Sequence, residues 1–267
     1  MRYGFYSCEP WTPATRAQVA ANQLTDLARA AAAGATLLHF AHLQDVGHTR
    51  HLLNMARIWG IGIILEDLVE PDLSALISHP ALLMLNVQDD ANTQPLDVVT
   101  RKAAASQVLP RYLSMGPTEQ NPRAEYYGLT EALGLQSYVF PGWLMGSYLV
   151  WSAARVQADK AHTYLIGNSQ LHNAWKRAPT PVEVRAQTWV AAATGCDALL
   201  GYALRSSSGE ITPDIFAAYV SACREVQNLP GRATCSVTGT QLTAQWPGLR
   251  VVIELSDKAC VVSCGPK

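Results

Sequence analysis

The strongest constraint on the fold is a repeated alternation of apolar runs with helical patterns along most of the chain. The apolar runs begin near residues 2, 36, 61, 81, 110, 135, 163 and 198. They are continuously apolar, which is typical of parallel strands covered on both faces. The intervals between them leave room for the crossovers that parallel strands require. We therefore predict an α/β fold, a closed (β/α)8 TIM barrel over residues 1–230.

An open doubly wound sheet is the alternative arrangement of such units. It is less favoured because no GxGxxG or phosphate-binding loop follows any of the apolar runs. We predict helices over about 15–33, 47–59, 72–78, 96–107, 123–133, 144–161, 181–194 and 213–228. Gly34 and Gly60 directly follow two of them and are expected to end them. The sixth strand is expected over 136–140.

The pattern changes in the last part of the chain, over residues 231–267. Short alternating runs are separated there by turn residues at 238–239, 247–248 and 256–257. Such runs predict a small antiparallel β meander of about four strands. A segment this short cannot bury a core of its own, so we expect this C-terminal β appendage to pack on the barrel.

Composition excludes several classes of partner. The formal net charge is −1, whereas nucleic acids and acidic membranes favour basic surfaces. The first ten residues lack the apolar segment of a secretory signal, so we expect a protein that is cytoplasmic as synthesised or is part of a phage particle. The longest apolar stretch, at 144–154, is too short to span a bilayer. The partners that remain are a carbohydrate ligand and a larger assembly.

The cysteines do not predict a metal site. They are Cys8, Cys196, Cys223, Cys235, Cys260 and Cys264. No CxxC pair and no zinc-finger spacing occurs among them, so we expect no metal and no cofactor. Buried reduced thiols are the favoured interpretation, and a disulfide in the tail is the alternative.

Polar residues that directly follow the apolar runs are the candidates for a site, because active sites of such barrels form at the carboxyl ends of the strands. The most conspicuous are Asp89 and Asp90, where the fourth run stops. The full set is Glu9, His42, Asp45, Glu66, Asp67, Asp89, Asp90, Asn92, Glu119, Asn168, Gln170 and Arg205. Most of the candidates that follow the first four strands are carboxylates.

Two carboxylates that flank a substrate bond are the minimum equipment for glycoside hydrolysis, one as general acid and one as base or nucleophile. Successive side chains of a strand point to opposite faces, so only one of Asp89 and Asp90 is expected to face the substrate directly. We assign Asp90 as the general acid and Asp89 to substrate binding, and Glu66 or Glu9 supplies the second carboxylate. The structural alternative is a turn and helix cap formed by residues 89–93.

Aromatic residues and histidines add two further hypotheses. Trp11, Trp143 and Trp175 follow strands one, six and seven, where their rings would stack on sugars or else pack under loops. His39, His42, His48 and His51 cluster in the second unit. A metal-dependent hydrolase that uses His39 and His42 is the weaker hypothesis, since histidines beside a helix are more often solvated.

Three segments resemble TIM-barrel glycoside hydrolases and their relatives, which include phage-associated proteins. They are GFYSCEPW at 4–11, NVQDDAN at 86–92, and APTPVEVRAQTWVAAATGCDALLGY at 178–202, which ends on Tyr202. The resemblance implies an acid at the end of strand four. We also assign substrate contacts to Asn92, Asn168, Gln170 and Tyr202. In the retaining enzymes that it resembles, a nucleophilic glutamate ends strand seven, but residues 164–170 contain no carboxylate. The usual retaining pair is therefore not expected.

Two function classes follow from these residues. The first is a glycoside-hydrolase-like protein that acts on a polysaccharide or cell-surface glycan by carboxylate acid/base catalysis. The second is a non-catalytic carbohydrate-binding or phage-particle structural module on a degenerate barrel. The position of carboxyl groups across the barrel mouth discriminates between them.

Overall fold

The computed structural model describes residues 1–105, 108–116, 124–138, 143–173, 177–207, 209–256 and 260–265. Its centre is a closed barrel of eight parallel strands, in which each strand pairs with the next and the first pairs with the eighth. The strands are β1 (Arg2–Ser7), β2 (Leu37–Ala41), β3 (Gly62–Glu66), β4 (Leu82–Gln88), β5 (Arg111–Met115), β6 (Ala132–Ser137), β7 (Tyr164–Gln170) and β8 (Ala198–Ser206). The predicted (β/α)8 barrel is confirmed.

Seven α-helices cover the outside of the barrel in the described residues. They are α1 (Arg16–Ala33), α2 (Val46–Ile58), α3 (Asp72–Leu76), α4 (Leu96–Ala105), α5 (Trp143–Ala161), α6 (Pro181–Ala193) and α7 (Pro213–Val226). Gly34 ends α1 in the left-handed conformation at φ 83°, as predicted. None of the described helices combines the length and apolarity needed to cross a membrane.

The helix predicted over 123–133 is wrong. The described residues there form one 3-10 turn, Ala124–Tyr126, followed by Gly128 at φ 82°. A left-handed glycine stops helix propagation, and Ala132 already pairs with Tyr112 in the barrel. The sixth strand consequently begins at Ala132 and not at residue 136. Its neighbours on both sides, and not its own sequence pattern, determine where it starts.

The inside of the barrel is a packed core. A cluster of inward side chains fills it: Tyr6, Leu37, Ile64, Tyr112, Ala132, Ile166, Ala198, Leu200 and Ala203. At its upper layer the hydroxyls of Tyr6 and Tyr112 hydrogen bond to each other, and Asn168 Nδ2 donates to them at 3.1 and 2.9 Å. Tyr112 reaches this position because Gly134 has no side chain: a Cβ there would lie 1.9 Å from Tyr112 Oη.

After β8 the chain forms a short antiparallel strand, β9 (Gly209–Glu210), and then the C-terminal sheet. This sheet is an antiparallel meander of β10 (Thr234–Thr238), β11 (Gln241–Trp246), β12 (Leu249–Glu254) and β13 (Cys260–Gly265). Its fully buried Trp246 lies edge-on to Trp189 of α6, with ring centroids 6.0 Å apart. The inner face of the sheet therefore packs against the outer helix layer.

Candidate active site

Three carboxyl side chains lie at the mouth formed by the carboxyl ends of the strands. Glu66 is the last residue of β3, and Asp89 and Asp90 directly follow β4. The register pairs Glu66 with Asn86, so the two strand ends are neighbours. Asp90 takes the left-handed conformation at φ 46° and starts a 3-10 turn, Ala91–Thr93. The strand-end positions predicted from the sequence are thus adjacent in space.

The three groups act on one another electrostatically. Burial, reinforced by the charge of Asp89, raises the pKa of Glu66 to about 8. Burial and the neighbouring Asp90 raise the pKa of Asp89 to about 6. The pKa of Asp90 is also raised by burial, and an amide hydrogen bond opposes the shift. In the part of the chain that the structure describes, none of the three pairs with a lysine or arginine. The mouth therefore collects negative charge without a protein counter-ion.

Neighbouring strands hold the aspartates in place. Gln136 of β6 donates through Nε2 to Asp90 Oδ1 and to Ser114 Oγ, both at 2.9 Å. Asn92 Oδ1 accepts from the Gly116 backbone N–H at 2.6 Å, which anchors the turn that carries Asp90. Asp89 Oδ1 is buried and has no hydrogen-bond partner among the described residues. Asp90 is thus oriented by an amide, whereas one oxygen of Asp89 is left unsatisfied.

A second cluster occupies the same mouth at the ends of β1 and β2. Cys8 Sγ lies 3.3 Å from His39 Nδ1, and Glu66 Oε2 lies 3.4 Å from His39 Nε2. Asn86 Nδ2 lies 3.1 Å from the same Nε2 atom. Burial lowers the pKa of His39 to about 3, so its imidazole is neutral. Sequence reasoning missed Cys8 and Asn86 as site residues: Cys8 directly follows β1, where the rule of polar residues at strand ends could have found it, whereas Asn86 lies inside β4 and gave no such signal.

His39 and His42 do not share a site. His42 is buried, with Nδ1 2.9 Å from Thr49 Oγ1 of α2 and Nε2 2.8 Å from Asp72 Oδ2 of α3. Both of its ring nitrogens are therefore engaged on the helix layer. The hypothesis of a metal held jointly by His39 and His42 is wrong for this geometric reason.

Glu9 and the tryptophans occupy other positions. Glu9 accepts a hydrogen bond from Asn22 of α1 at 2.6 Å, away from the carboxyl group at β3 and β4. Trp11 is partly exposed, and the Arg16 guanidinium lies 5.7 Å from its ring centroid. Trp143 is 1 % exposed, so it packs in the core and leaves no face for a sugar. Trp175 and Glu119 lie outside the described residues.

The remaining predicted binding residues differ in accessibility. Asn168 and Gln170 are fully buried; Gln170 donates to the backbone carbonyls of His172 and Arg177 at 2.6 and 2.8 Å. Both sit beneath the mouth. Tyr202 is partly exposed, and its ring centroid lies 5.6 Å from that of Tyr138. Tyr202 and the Asn92 turn therefore border the carboxyl cluster.

Comparisons with known proteins give similarity in structure alone. No protein-family model matches the chain, and no curated protein is similar to it in sequence. The endo-β-1,4-mannanase from Thermotoga petrophila superposes with a TM-score of 0.57 at 8 % identity, over 92 % of this chain and 83 % of the mannanase. In fold, the chain is similar to TIM-barrel glycoside hydrolases.

Two further structures extend this similarity. Saccharomyces cerevisiae Gas2p in complex with laminaritriose and laminaritetraose gives a TM-score of 0.55 at 13 % identity, over 84 % of this chain and 64 % of Gas2p. The spore coat polysaccharide biosynthesis protein SpsE from Bacillus subtilis gives 0.55 at 12 %, over 85 % of this chain and 68 % of SpsE. At such identities the likeness concerns the fold, and activity has to be argued from the site.

Proposed function

We propose that the protein is a glycoside-hydrolase-like enzyme that acts on a polysaccharide or cell-surface glycan through Asp89 and Asp90. The observation that carries the proposal is the placement of two adjacent carboxyl groups with raised pKa at the mouth of the barrel. Glycoside hydrolysis requires one carboxyl group that keeps a proton and another that is ionised. The similarity in fold to barrels that include a mannanase supports this class of substrate.

The two aspartates work as one titrating unit in this proposal. Each carboxylate disfavours ionisation of the other, so the pair retains a proton to higher pH than an isolated aspartate would. Asp90 is the less buried of the two and is oriented by Gln136, so it is the group that reaches the glycosidic oxygen and passes on the proton that it shares with Asp89. Asp89, whose pKa is raised to about 6, holds the shared proton in the free protein and ionises as Asp90 passes that proton to the substrate. Asp90 thus keeps the role predicted from the sequence.

The absence of a carboxylate from β7 argues against the usual retaining arrangement. Residues 164–170 read YLIGNSQ, and Asn168 is bound to the two buried tyrosines. The second carboxyl function therefore comes from the β3–β4 side of the mouth. Glu66 is the third group available there.

The test is an Asp90→Asn substitution assayed on β-1,3-glucan, β-1,4-mannan, peptidoglycan and bacterial surface polysaccharides. Removing a general acid lowers the rate by about 10²- to 10⁴-fold. We expect that loss in released reducing ends, with a melting temperature at or above that of the wild type. Asp97→Asn on the exposed face of α4 is the matched control and should keep full activity.

Two outcomes would contradict the proposal in different ways. Turnover by Asp90→Asn at the wild-type rate would remove Asp90 from the mechanism. Glycan binding by the wild type without cleavage of any substrate would instead indicate the carbohydrate-binding module, because a bound sugar would then meet no working acid.

A further inference from the structure

The cluster formed by Cys8, His39 and Glu66 brings a thiol, an imidazole and a carboxyl group together from three consecutive strands. One ligand atom of each residue lies within 4.8 Å of those of the other two. Thiolate, imidazole nitrogen and carboxylate oxygen are the ligand types that zinc uses in proteins. We propose that these three residues bind a divalent zinc-like ion at the mouth of the barrel.

The distances between the donor atoms suit such an ion. Zinc lies about 2.3 Å from a cysteine sulfur and about 2.0 Å from a histidine nitrogen, so the two ligand atoms of a tetrahedral ion are roughly 3.5 Å apart. The Cys8 Sγ to His39 Nδ1 distance of 3.3 Å agrees with this value. Glu66 Oε2 lies 3.4 Å from the other ring nitrogen, Nε2, so the Glu66 side chain has to turn toward the Nδ1 side to bind the same ion, while β1 and β2 stay in place.

Asn86 provides an independent observation that points to the same ligand. Its side chain is only 8 % exposed, and its Oδ1 atom has no hydrogen-bond partner among the described residues. Nδ2 lies 3.1 Å from His39 Nε2, so a rotation of the amide by 180° puts Oδ1 there instead. A histidine that ligates metal through Nδ1 carries its proton on Nε2 and normally donates it to such an oxygen. Metal binding would thus give the buried Oδ1 a donor, the Nε2–H of His39, and would move Nδ2 to the position that Oδ1 leaves.

The charge around the cluster favours a cation. Asp67 and Asp89 act electrostatically on both Cys8 and Glu66, and no lysine or arginine of the described chain pairs with Glu66 or Asp89. The same contacts resemble a nucleophilic cysteine–histidine pair, but nearby carboxylates disfavour a free thiolate. A divalent ion instead stabilises thiolate and carboxylate together.

Three protein ligands leave one position of a tetrahedral ion open. Water or a sugar hydroxyl would fill that fourth position, as in zinc sites that are not purely structural. Metal binding by this cluster does not depend on the proposed acid/base role of Asp89 and Asp90. It is measured without any substrate.

The experiment uses the full chain, stripped with a chelator and then titrated with Zn²⁺ and with Co²⁺. We expect one ion per chain and a thiolate-to-cobalt charge-transfer band in the near ultraviolet. Cys8→Ser should abolish the band, and Cys8→Ser and Glu66→Gln should each weaken Zn²⁺ binding by more than the roughly 10- to 100-fold that losing an outer-shell partner costs. Cys235→Ser, which removes a partly exposed thiol of the β appendage, is the control and should bind normally.

A second measurement covers the case in which a variant fails to fold. In the wild type, bound Zn²⁺ should protect Cys8 from iodoacetamide, with the modified peptide identified by mass spectrometry. Absence of stoichiometric uptake would overturn the proposal. So would an unchanged cobalt spectrum in folded Cys8→Ser, or alkylation of Cys8 at equal rates with and without Zn²⁺.

Discussion

Replacing Asp89 by asparagine should stabilise the protein at neutral and alkaline pH. Asp89 is largely buried, Oδ1 has no hydrogen-bond partner among the described residues, and burial with the Asp90 charge raises its pKa from 3.8 to about 6. The folded protein therefore binds this proton more tightly than the unfolded chain. The ionised group costs stability as pH rises from about 4 to 6, and the cost is complete above both values. Asparagine keeps the shape and carries no charge.

The structure sets the size of the effect. The pKa of Asp89 lies about 2 above its ordinary value, and each step of one in pKa corresponds to about 1.4 kcal/mol, so the gain in the free energy of unfolding is at most about 3 kcal/mol. Because local relaxation reduces this gain, we expect about 1–3 kcal/mol at pH 8. For a chain of this size that is a rise in melting temperature of roughly 2–12 °C. At pH 4, where Asp89 is protonated in the folded state, the gain should nearly vanish.

Differential scanning calorimetry at pH 4, 6 and 8, with a chelator present, measures this dependence. Asp97→Asn is the control, because Asp97 is exposed on α4 and pairs with Arg101, so its substitution should change stability by less than about 0.5 kcal/mol. A stability of Asp89→Asn that equals the wild type at pH 8 would refute the reasoning. A gain of the same size at pH 4 would assign the effect to packing and not to charge.

Two further predictions concern packing, one beneath the β appendage and one inside the barrel. Trp246→Ala should lower the free energy of unfolding by about 3–5 kcal/mol, because the ring is buried against α6, and calorimetry should show a single transition at a lower temperature. A separate transition for the β appendage would contradict this. Gly134→Ala should destabilise by about 1–3 kcal/mol, because the new Cβ overlaps Tyr112 Oη. Adding Tyr112→Phe should restore part of that loss in urea unfolding, and a purely additive double variant would argue against the clash.

The barrel could be predicted from the sequence because its physical requirement is local. A parallel strand covered on both faces is apolar along most of its length without alternation, so each strand is visible as a nearly continuous run. Residues 123–133 mislead because their apolar residues also fit a helical period. Gly128 at positive φ and the pairing of Ala132 with β5 and β7 decide the outcome. Tertiary pairing overrides propensity at that point.

The carboxyl groups of the site could be found for a similar reason. Glu66, Asp89 and Asp90 each stand where an apolar run stops, and the barrel brings all strand ends to one mouth. The orientation of a side chain near a strand end carries no such signal. Trp143 follows the sixth strand as predicted but is buried in the core. Cys8 lies two residues after Tyr6, the register partner of His39, so both side chains point to the same side as His39.

The distribution of charge at the mouth connects the two proposals. A buried carboxylate left without a partner is costly, and elsewhere this chain pairs one with arginine, where Arg205 lies 3.4 Å from the buried Asp26. At β3 and β4 it leaves Glu66, Asp89 and Asp90 without such a partner in the described residues and places a neutral histidine beside them. Such a cluster is stabilised by a retained proton or by a bound cation. A retained proton is what acid catalysis at Asp90 requires, and a bound cation is what the thiol and imidazole at β1 and β2 would ligate. Both positions lie at the same mouth of the barrel, where one substrate could contact both.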